Sequence, residues 1–136
     1  MTDSMKMFKW GLDGGKPNAT DIGTQAEWFY KGDGDWVVDP EAHLVWPTYA
    51  LDGGEEVELV GVYLIDEKSV VWRVGYALAN EYADHVMERQ NYLYLAHLKL
   101  RHCSYGPELL IGELPNNVKG KARLVRSNNV IWEEDW

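Results

Sequence analysis

The sequence has few of the residues that several protein classes require. It contains a single cysteine, Cys103, which excludes an intrachain disulfide and any zinc framework of paired Cys and His ligands. It has no apolar run near the ~20 residues that a membrane-spanning helix needs, and its N-terminal residues lack a signal-peptide core. We therefore expect a cytoplasmic protein without a membrane partner.

Basic residues are also scarce. The chain has 13 Lys and Arg against 22 Asp and Glu, which gives a net charge of −9. This balance opposes binding to nucleic acid, whose phosphates require a basic surface, and to anionic lipid. It does not oppose an anionic substrate, because a local lysine or a metal ion can reverse the field inside one pocket.

The composition is that of a folded domain. Hydrophobic residues make up 46% of the 136 residues, so residues 1–136 are predicted to form one domain with its own core. The aromatic residues are 7 Trp and 8 Tyr against only 2 Phe. Because Trp and Tyr join an apolar body to a polar tip, they suit half-buried sheets, pocket walls and interfaces.

The hydrophobic pattern predicts a β-rich α+β fold with one main helix. The helical period runs from Glu81 to Leu100, and a shorter helix is predicted over Ser4–Trp10. The best strands are Glu56–Ile65 and Val70–Leu78, joined by a hairpin turn. Further short strands are predicted on both sides of the Gly-Asp turn in EWFYKGDGDWVVDP, at Leu44–Thr48, at Glu108–Gly112, and in a final hairpin around Ser127-Asn128-Asn129.

A pair of carboxylates opens the strongest predicted strand. Glu56 and Glu58 are two residues apart, so their side chains point to the same face. Carboxylate oxygens favour Mg²⁺, Mn²⁺ or Ca²⁺ over zinc. The alternative is that the pair lies on a solvated strand face. The nearly continuous apolar run Leu59–Ile65 argues against that alternative, because it indicates burial on both faces.

Several segments, in order, resemble the fumarylacetoacetate hydrolase superfamily. The segment GEEVELVGVYLI is similar to the family's D-Y-E-x-E-L-x-x-V-I-G, EWFYKGDG to its F-x-K-P, VGYALANEYADH to its G-Y-T-x-x-N-D-x-S-A-R-D, and CSYGPELLIG to its C-P-L-G-P-W-I. The resemblance covers Glu27 to Gly112 and, more weakly, the last hairpin. It is strongest to the sugar-acid branch of GguC-like proteins and 2-keto-3-deoxy-sugar-acid dehydratases, through DSMKMF, DGGEE and HVMERQNYLYLAH.

The resemblance implies a fold and a set of site residues. The fold is a mixed β-sheet roll of the fumarylacetoacetate hydrolase C-terminal-domain type. Glu56, Glu58 and Glu81 match the family's metal ligands, for Mg²⁺, Mn²⁺ or Ca²⁺. Lys31 matches a substrate-binding lysine, and Lys99 is the candidate catalytic lysine that polarises a carbonyl or stabilises an enolate. Members are commonly homodimers.

The sequence departs from the family pattern in three ways. Glu81 stands where the family has Asp. His97 stands at the usual position of the family's active-site lysine, so the choice between His97 and Lys99 for that role is open. Without the resemblance, His97 is expected to be a core or interface histidine. Counterparts are missing for the N-terminal segment with a catalytic His and Glu and for the C-terminal segment that closes the roll. We therefore expect an incomplete roll.

Three functions follow from these observations. The first is a metal-dependent lyase acting on a small 2-oxo acid, by dehydration of a 2-keto-3-deoxy sugar acid. The second is an acylpyruvate-type C–C hydrolase or a 2-oxo acid decarboxylase. The third is a truncated, non-catalytic relative that binds a metal or a sugar acid.

Overall fold

The computed structural model describes residues 1–23 and 28–135, so Glu27, where the resemblance begins, lies outside the described residues. The helices are α1 (Asp3–Gly14), α2 (His85–Gln90) and α3 (Leu95–Leu98), with a 3₁₀ turn at Tyr92–Tyr94. The strands are β1 (Val37–Val38), β2 (Val57–Ile65), β3 (Val71–Asn80), β4 (Cys103–Tyr105), β5 (Leu110–Ile111), β6 (Lys121–Arg126) and β7 (Asn129–Asp135). Among the described residues, no helix is long and apolar enough to cross a membrane.

The strands form one mixed sheet and one separate hairpin. The sheet has the order β1-β4-β3-β2, and β5 also pairs with β3. Strands β1 and β4 are parallel, whereas the other pairs are antiparallel. Strands β6 and β7 pair only with each other in the described part of the chain. The predicted mixed sheet with few helices is confirmed.

The β2–β3 hairpin is the backbone of the sheet. Its pairing runs from Val57 opposite Asn80 to Ile65 opposite Val71. The Asp66 carboxylate holds the turn, because it accepts hydrogen bonds from the backbone N–H groups of Lys68 and Val70, each at 2.9 Å. In the second hairpin, Ser127 and Asn128 both have positive φ, the conformation of the turns that suit twisted strands. Both predicted hairpins are present.

The irregular helix predicted from Glu81 to about Leu100 forms only as separate short pieces. The Asp84 side chain accepts from the Met87 N–H at 2.9 Å and caps α2, so the helix begins only at His85. Asn91 then adopts an extended conformation, and its side chain accepts from the Leu93 N–H at 3.0 Å. The segment therefore divides into α2, the 3₁₀ turn and α3.

Other element predictions need smaller corrections. Helix α1 is longer than predicted, since it begins at Asp3 and reaches Gly14. The predicted edge strand Leu44–Thr48 is a loop, because Pro47 has no N–H for strand pairing. Of the predicted strand Glu108–Gly112, only Leu110–Ile111 forms. Residues 28–32 are not a strand, and β4 was not predicted.

The most deeply buried part of the fold contains an ion pair. Asp84 and Arg101 are fully buried beside Leu98 and Ala83, with Arg101 Nη2 at 3.8 Å from Asp84 Oδ2. The same Asp84 oxygen accepts from the N–H groups of Leu51 and Asp52 at 2.8 and 3.2 Å. Arg101 Nη1 donates to the carbonyl oxygens of Asp52 and Ala83 at 3.3 and 3.2 Å.

These contacts fix the charge state of Asp84. Burial alone raises the pKa of this carboxyl, but the backbone N–H donors of Met87, Leu51 and Asp52, together with Arg101, bring the pKa below its ordinary value of 3.8. The ionised carboxylate thus joins three separate segments: the 51–52 loop, the start of α2, and Arg101, which follows Lys99 by two residues.

We predict that Asp84→Asn lowers the free energy of unfolding by about 3 kcal/mol or more, since it leaves the charge of Arg101 buried without its partner. The stabilisation from Asp84 is present above its ordinary pKa and is lost as the pH falls through the lower folded-state pKa. The difference between wild type and variant should therefore shrink on acidification. Urea denaturation between pH 7 and pH 3 measures it.

The matched control is Asp13→Asn, because Asp13 forms an exposed ion pair with Lys9 on α1. This variant should unfold within about 0.5 kcal/mol of wild type. Equal stability of the Asp84 and Asp13 variants at pH 7 would contradict a central role for the buried pair.

Candidate metal centre

Three carboxylates converge at the end of the β2–β3 hairpin. Glu56, Glu58 and Glu81 each offer one oxygen atom, and these atoms all lie within 4.8 Å of one another. Glu56 and Glu58 share a face because they are two residues apart on an extended segment. Glu81 follows β3 and lies opposite Glu56, as shown by the hydrogen bond of 3.0 Å from the Glu81 N–H to the Glu56 carbonyl oxygen. The hairpin register therefore assembles the cluster.

Asn80 supports the position of Glu56. Its side-chain Oδ1 accepts from the Glu56 N–H at 3.1 Å, and its amide nitrogen donates to the Glu55 carboxylate. This cross-strand contact continues the pairing of the two strands up to the carboxylate cluster.

Two largely buried lysines contact the cluster. Lys31 Nζ lies 3.0 Å from Glu81 Oε1. Lys99 Nζ contacts Glu56 Oε2 and lies 3.3 Å from Glu81 Oε2. Burial lowers the pKa of Lys99, but the hydrogen bond and charge of Glu56 and the charge of Glu81 outweigh it and raise the pKa above its ordinary value. Lys99 is therefore a protonated cation at neutral pH.

The structure brings Lys99, rather than His97, to the carboxylates. His97 is exposed, so the core position predicted for it is wrong, while the interface position stays a prediction. Helix α3 is a single turn that ends at Leu98, and Leu98 takes the buried position. Lys99 follows directly and extends toward the cluster.

His85 contacts the cluster, although the sequence did not predict it as a site residue. Its Nε2 lies 3.0 Å from Glu56 Oε1, and the hydrogen bond with Glu56 raises the pKa of the imidazole. A Cβ on Gly54 would lie 2.4 Å from His85 Nδ1, so only glycine leaves room for the ring. The Gly-Gly step just before the carboxylates was the available sequence signal.

The carboxylates differ in their electrostatic environment. Burial raises the pKa of Glu56, but its hydrogen bonds with His85 and Lys99 outweigh burial and bring the pKa below its ordinary value. Burial and the charge of Glu81 raise the pKa of Glu58 above its ordinary value, against the opposing effect of Lys99. Within the described residues, Glu58 has no cation in salt-bridge contact. Of the three carboxylates, Glu58 is therefore the one whose negative charge is least compensated by neighbouring cations.

The donor set fits a hard divalent cation. All three candidate ligands are carboxylates, and oxygen-only ligands suit Mg²⁺, Mn²⁺ or Ca²⁺. Lys99 already places a positive charge against two of the three carboxylates. The cluster is therefore an environment in which positive charge is favourable.

Among the described residues, no hydrogen bond or ion pair joins His43 or Cys103 to the carboxylate cluster. His43 is exposed. Cys103 is half-buried on β4, and burial raises the pKa of its thiol. A raised pKa disfavours the thiolate, so nothing here supports a nucleophilic cysteine.

Comparison with known proteins gives a structural relationship only. No family model matches the sequence, and no curated protein matches it. The fold is similar to that of a hexagonal crystal form of 2-keto-3-deoxyarabinonate dehydratase, with a TM-score of 0.64 and 22% identity over 79% of this chain. A structure of 2-keto-3-deoxy-D-arabinonate dehydratase complexed with magnesium and 2,5-dioxopentanoate gives a TM-score of 0.51 and 22% identity over 74% of this chain.

At 22% identity, the similarity to these two structures establishes a shared fold and nothing further. The chain spans 38% and 33% of the lengths of these two structures.

We predict that Glu56→Gln lowers the pKa of His85 toward its ordinary value, because the amide cannot stabilise the imidazolium as the carboxylate does. NMR titration of the histidine ring signals measures it, with the exposed His43 as the internal control. Glu67→Gln, in the β2–β3 turn, should leave both titrations unchanged. Identical His85 titration curves in wild type and Glu56→Gln would contradict the hydrogen bond.

Proposed function

We propose that this chain is a divalent-metal-dependent lyase-type domain that dehydrates a 2-keto-3-deoxy sugar acid. The observation that carries the proposal is the convergence of Glu56, Glu58 and Glu81 within 4.8 Å, with two lysines in contact. The fold shared with a sugar-acid dehydratase supports the substrate class, and the magnesium in one of those structures supports the cation.

A divalent cation held by the three carboxylates would supply electrophilic polarisation of the carboxylate and 2-oxo group of the substrate. The lysines complement that chemistry. Lys31, whose Nζ lies 3.0 Å from Glu81 Oε1, would bind the substrate carboxylate. Lys99 is protonated and can donate a hydrogen bond to the oxygen on which negative charge develops as the C3 proton leaves. The C3 proton passes to solvent, the C3–C4 double bond forms, and the C4–O bond breaks as the hydroxyl takes up a proton and leaves as water. Proton shifts from C5 to C3 and from the C5 hydroxyl to C4 then give the aldehyde of 2,5-dioxopentanoate.

His85 and Asn80 have supporting roles in this scheme. His85 holds one oxygen of Glu56 at 3.0 Å, and Asn80 holds the Glu56 backbone at 3.1 Å. Both limit the movement of the central carboxylate. Fixed ligands reduce the reorganisation needed when charge develops in the transition state.

A second candidate is a domain that binds the metal and a sugar acid without turnover. It is favoured because the scheme above assigns the acceptance of the C3 proton to no side chain among the described residues. The two candidates share the metal centre and differ only in turnover.

Titration calorimetry with Mg²⁺ tests the metal centre. Wild type should bind, and Glu58→Gln should bind at least about tenfold more weakly, since it loses one anionic ligand from a three-carboxylate set. Glu67→Gln is the matched control and should bind like wild type. Equal titration of wild type and Glu58→Gln would remove Glu58 from the metal site.

Turnover separates the two candidates. With Mg²⁺ and 2-keto-3-deoxy-D-arabinonate, a dehydratase should form 2,5-dioxopentanoate, which NMR detects. Binding of metal and substrate without product supports the non-catalytic candidate.

We also propose that the chain acts as a homodimer. Its accessible surface is 10863 Å², whereas a compact globular monomer of 15.6 kDa is expected to expose roughly 7,000 Å². Ile65 and Val71, which pair at the far end of the β2–β3 hairpin, are 71% and 60% exposed. An apolar surface of this kind marks an association site.

Sedimentation velocity tests the dimer, with an expected mass of twice 15.6 kDa. The double variant Ile65→Glu/Val71→Lys should shift the protein to monomer, because it places charge on the apolar surface while keeping a favourable cross-strand pair. Leu12→Lys is the control, since Leu12 on α1 is equally exposed at 71%. A monomeric wild type, or a double variant that dimerises as wild type does, would contradict this interface.

A further inference from the structure

Lys31 reaches the carboxylate cluster from a loop rather than from a helix or a strand. Residues 28–32 form no regular element, yet the Lys31 side chain is only 20% exposed and its Nζ lies 3.0 Å from Glu81 Oε1. A lysine has a flexible four-carbon stem, so one ion pair leaves its ammonium group considerable freedom. A defined position for this group requires a second contact.

The second contact is the ring of Phe29. Burial alternates along the loop, because Phe29 and Lys31 are half-buried whereas Trp28 and Tyr30 are exposed. The two half-buried side chains therefore turn inward together. The Lys31 Nζ lies 5.9 Å from the centre of the Phe29 ring, within the ~6 Å over which the face of an aromatic ring attracts a cation.

The backbone that follows Lys31 is tied to the sheet. Gly32 has a φ of 101°, and a Cβ at this position would lie 3.3 Å from Trp36 Cδ1. The carbonyl oxygen of Trp36 then accepts a hydrogen bond from the Cys103 N–H on β4 at 2.8 Å. The loop thus fixes the main chain near Lys31, and the Phe29 ring restricts the side chain.

An aromatic partner has an advantage over a second carboxylate at this position. Glu81 is both the ion-pair partner of Lys31 and a candidate metal ligand, so a cation at the cluster would compete with Lys31 for that carboxylate. The Phe29 contact does not depend on Glu81. The ring attracts the ammonium group without occupying its three hydrogen-bond donors as a carboxylate would. Those donors stay available to a substrate carboxylate.

We propose that Phe29 is a positioning residue, whose ring face holds the Lys31 ammonium group in place to bind the carboxylate of the substrate. The inference rests on the proposed function, since it requires a 2-oxo acid at the metal centre. It gives Phe29 a role beyond apolar packing, because the attraction depends on the electron-rich face of the ring. An apolar side chain without such a face should not replace it.

Calorimetry on the full chain tests the inference, first with Mg²⁺ and then with pyruvate in saturating Mg²⁺. Phe29→Leu should weaken pyruvate binding by about fivefold, the effect of one partly buried cation–π contact. Phe29→Tyr keeps the ring face and should bind pyruvate within about twofold of wild type. Replacing Phe29 by trifluorophenylalanine keeps the shape of the ring but withdraws electrons from its face. This variant should lose pyruvate affinity as Phe29→Leu does.

Phe8→Leu is the matched control, because Phe8 is the other phenylalanine of the chain and is exposed on α1. It should bind pyruvate as wild type does. Mg²⁺ binding should be the same in wild type and every variant, which also shows that the variants are folded.

Two sets of outcomes are distinguishable. Wild-type pyruvate affinity in the trifluorophenylalanine variant, an equal loss in Phe29→Tyr and Phe29→Leu, or a loss of Mg²⁺ binding in the Phe29 variants overturns the inference and leaves the metal centre of the wild type in place. A wild type that does not bind pyruvate in saturating Mg²⁺ overturns the proposed function itself and this inference with it.

Discussion

The buried pair of Asp84 and Arg101 determines where the candidate site can form. Glu81 lies three residues before Asp84, and Lys99 lies two residues before Arg101. Asp84 also binds the 51–52 backbone that leads into Glu56, and its cap sets the start of α2 at His85. Because an isolated buried charge costs several kcal/mol, neither partner can leave without the other. The site residues are thereby held in a fixed relation by a contact in which none of them takes part.

The same arrangement explains how the protein tolerates three carboxylates so close together. Glu56 has Lys99 and His85, Glu81 has Lys31 and Lys99, and Glu58 is exposed. Repulsion is thus offset by cations at the buried side and by solvent at the open side. Lys99 contacts two candidate ligands at once, so the position of its ammonium group and the binding of any cation at the cluster are coupled. Burial and the charge of Glu81 raise the pKa of Glu58, so a proton competes with any cation at this carboxylate.

Local sequence patterns predicted the parts of this arrangement that depend on neighbouring residues. Two apolar runs and a short turn predicted the β2–β3 hairpin, but its register, which places Glu56 opposite Glu81, is known only from the structure. The helical period over residues 81–100 failed because Asp84 and Asn91 use their side chains to bind the backbone locally. His85 was missed because its partner, Glu56, is 29 residues away. A periodicity argument contains no information on such a contact, although the Gly-Gly step marked a close approach.

The distribution of burial within the fold has a consequence for stability. Most of the buried side chains among the described residues are neighbours of Glu81 or Lys99 in the sequence, whereas Ile65 and Val71 at the other end of the hairpin are exposed. These neighbours are Tyr82, Ala83, Asp84, Leu98 and Arg101. The geometry of the site therefore depends on a small core that contains a charge pair, rather than on a large apolar one. A partner that covers the exposed end would stabilise the hairpin by burying apolar area. The positions of the carboxylates do not depend on that partner, because the hairpin register sets them. Association and site geometry are then separable, because they depend on opposite ends of the same two strands.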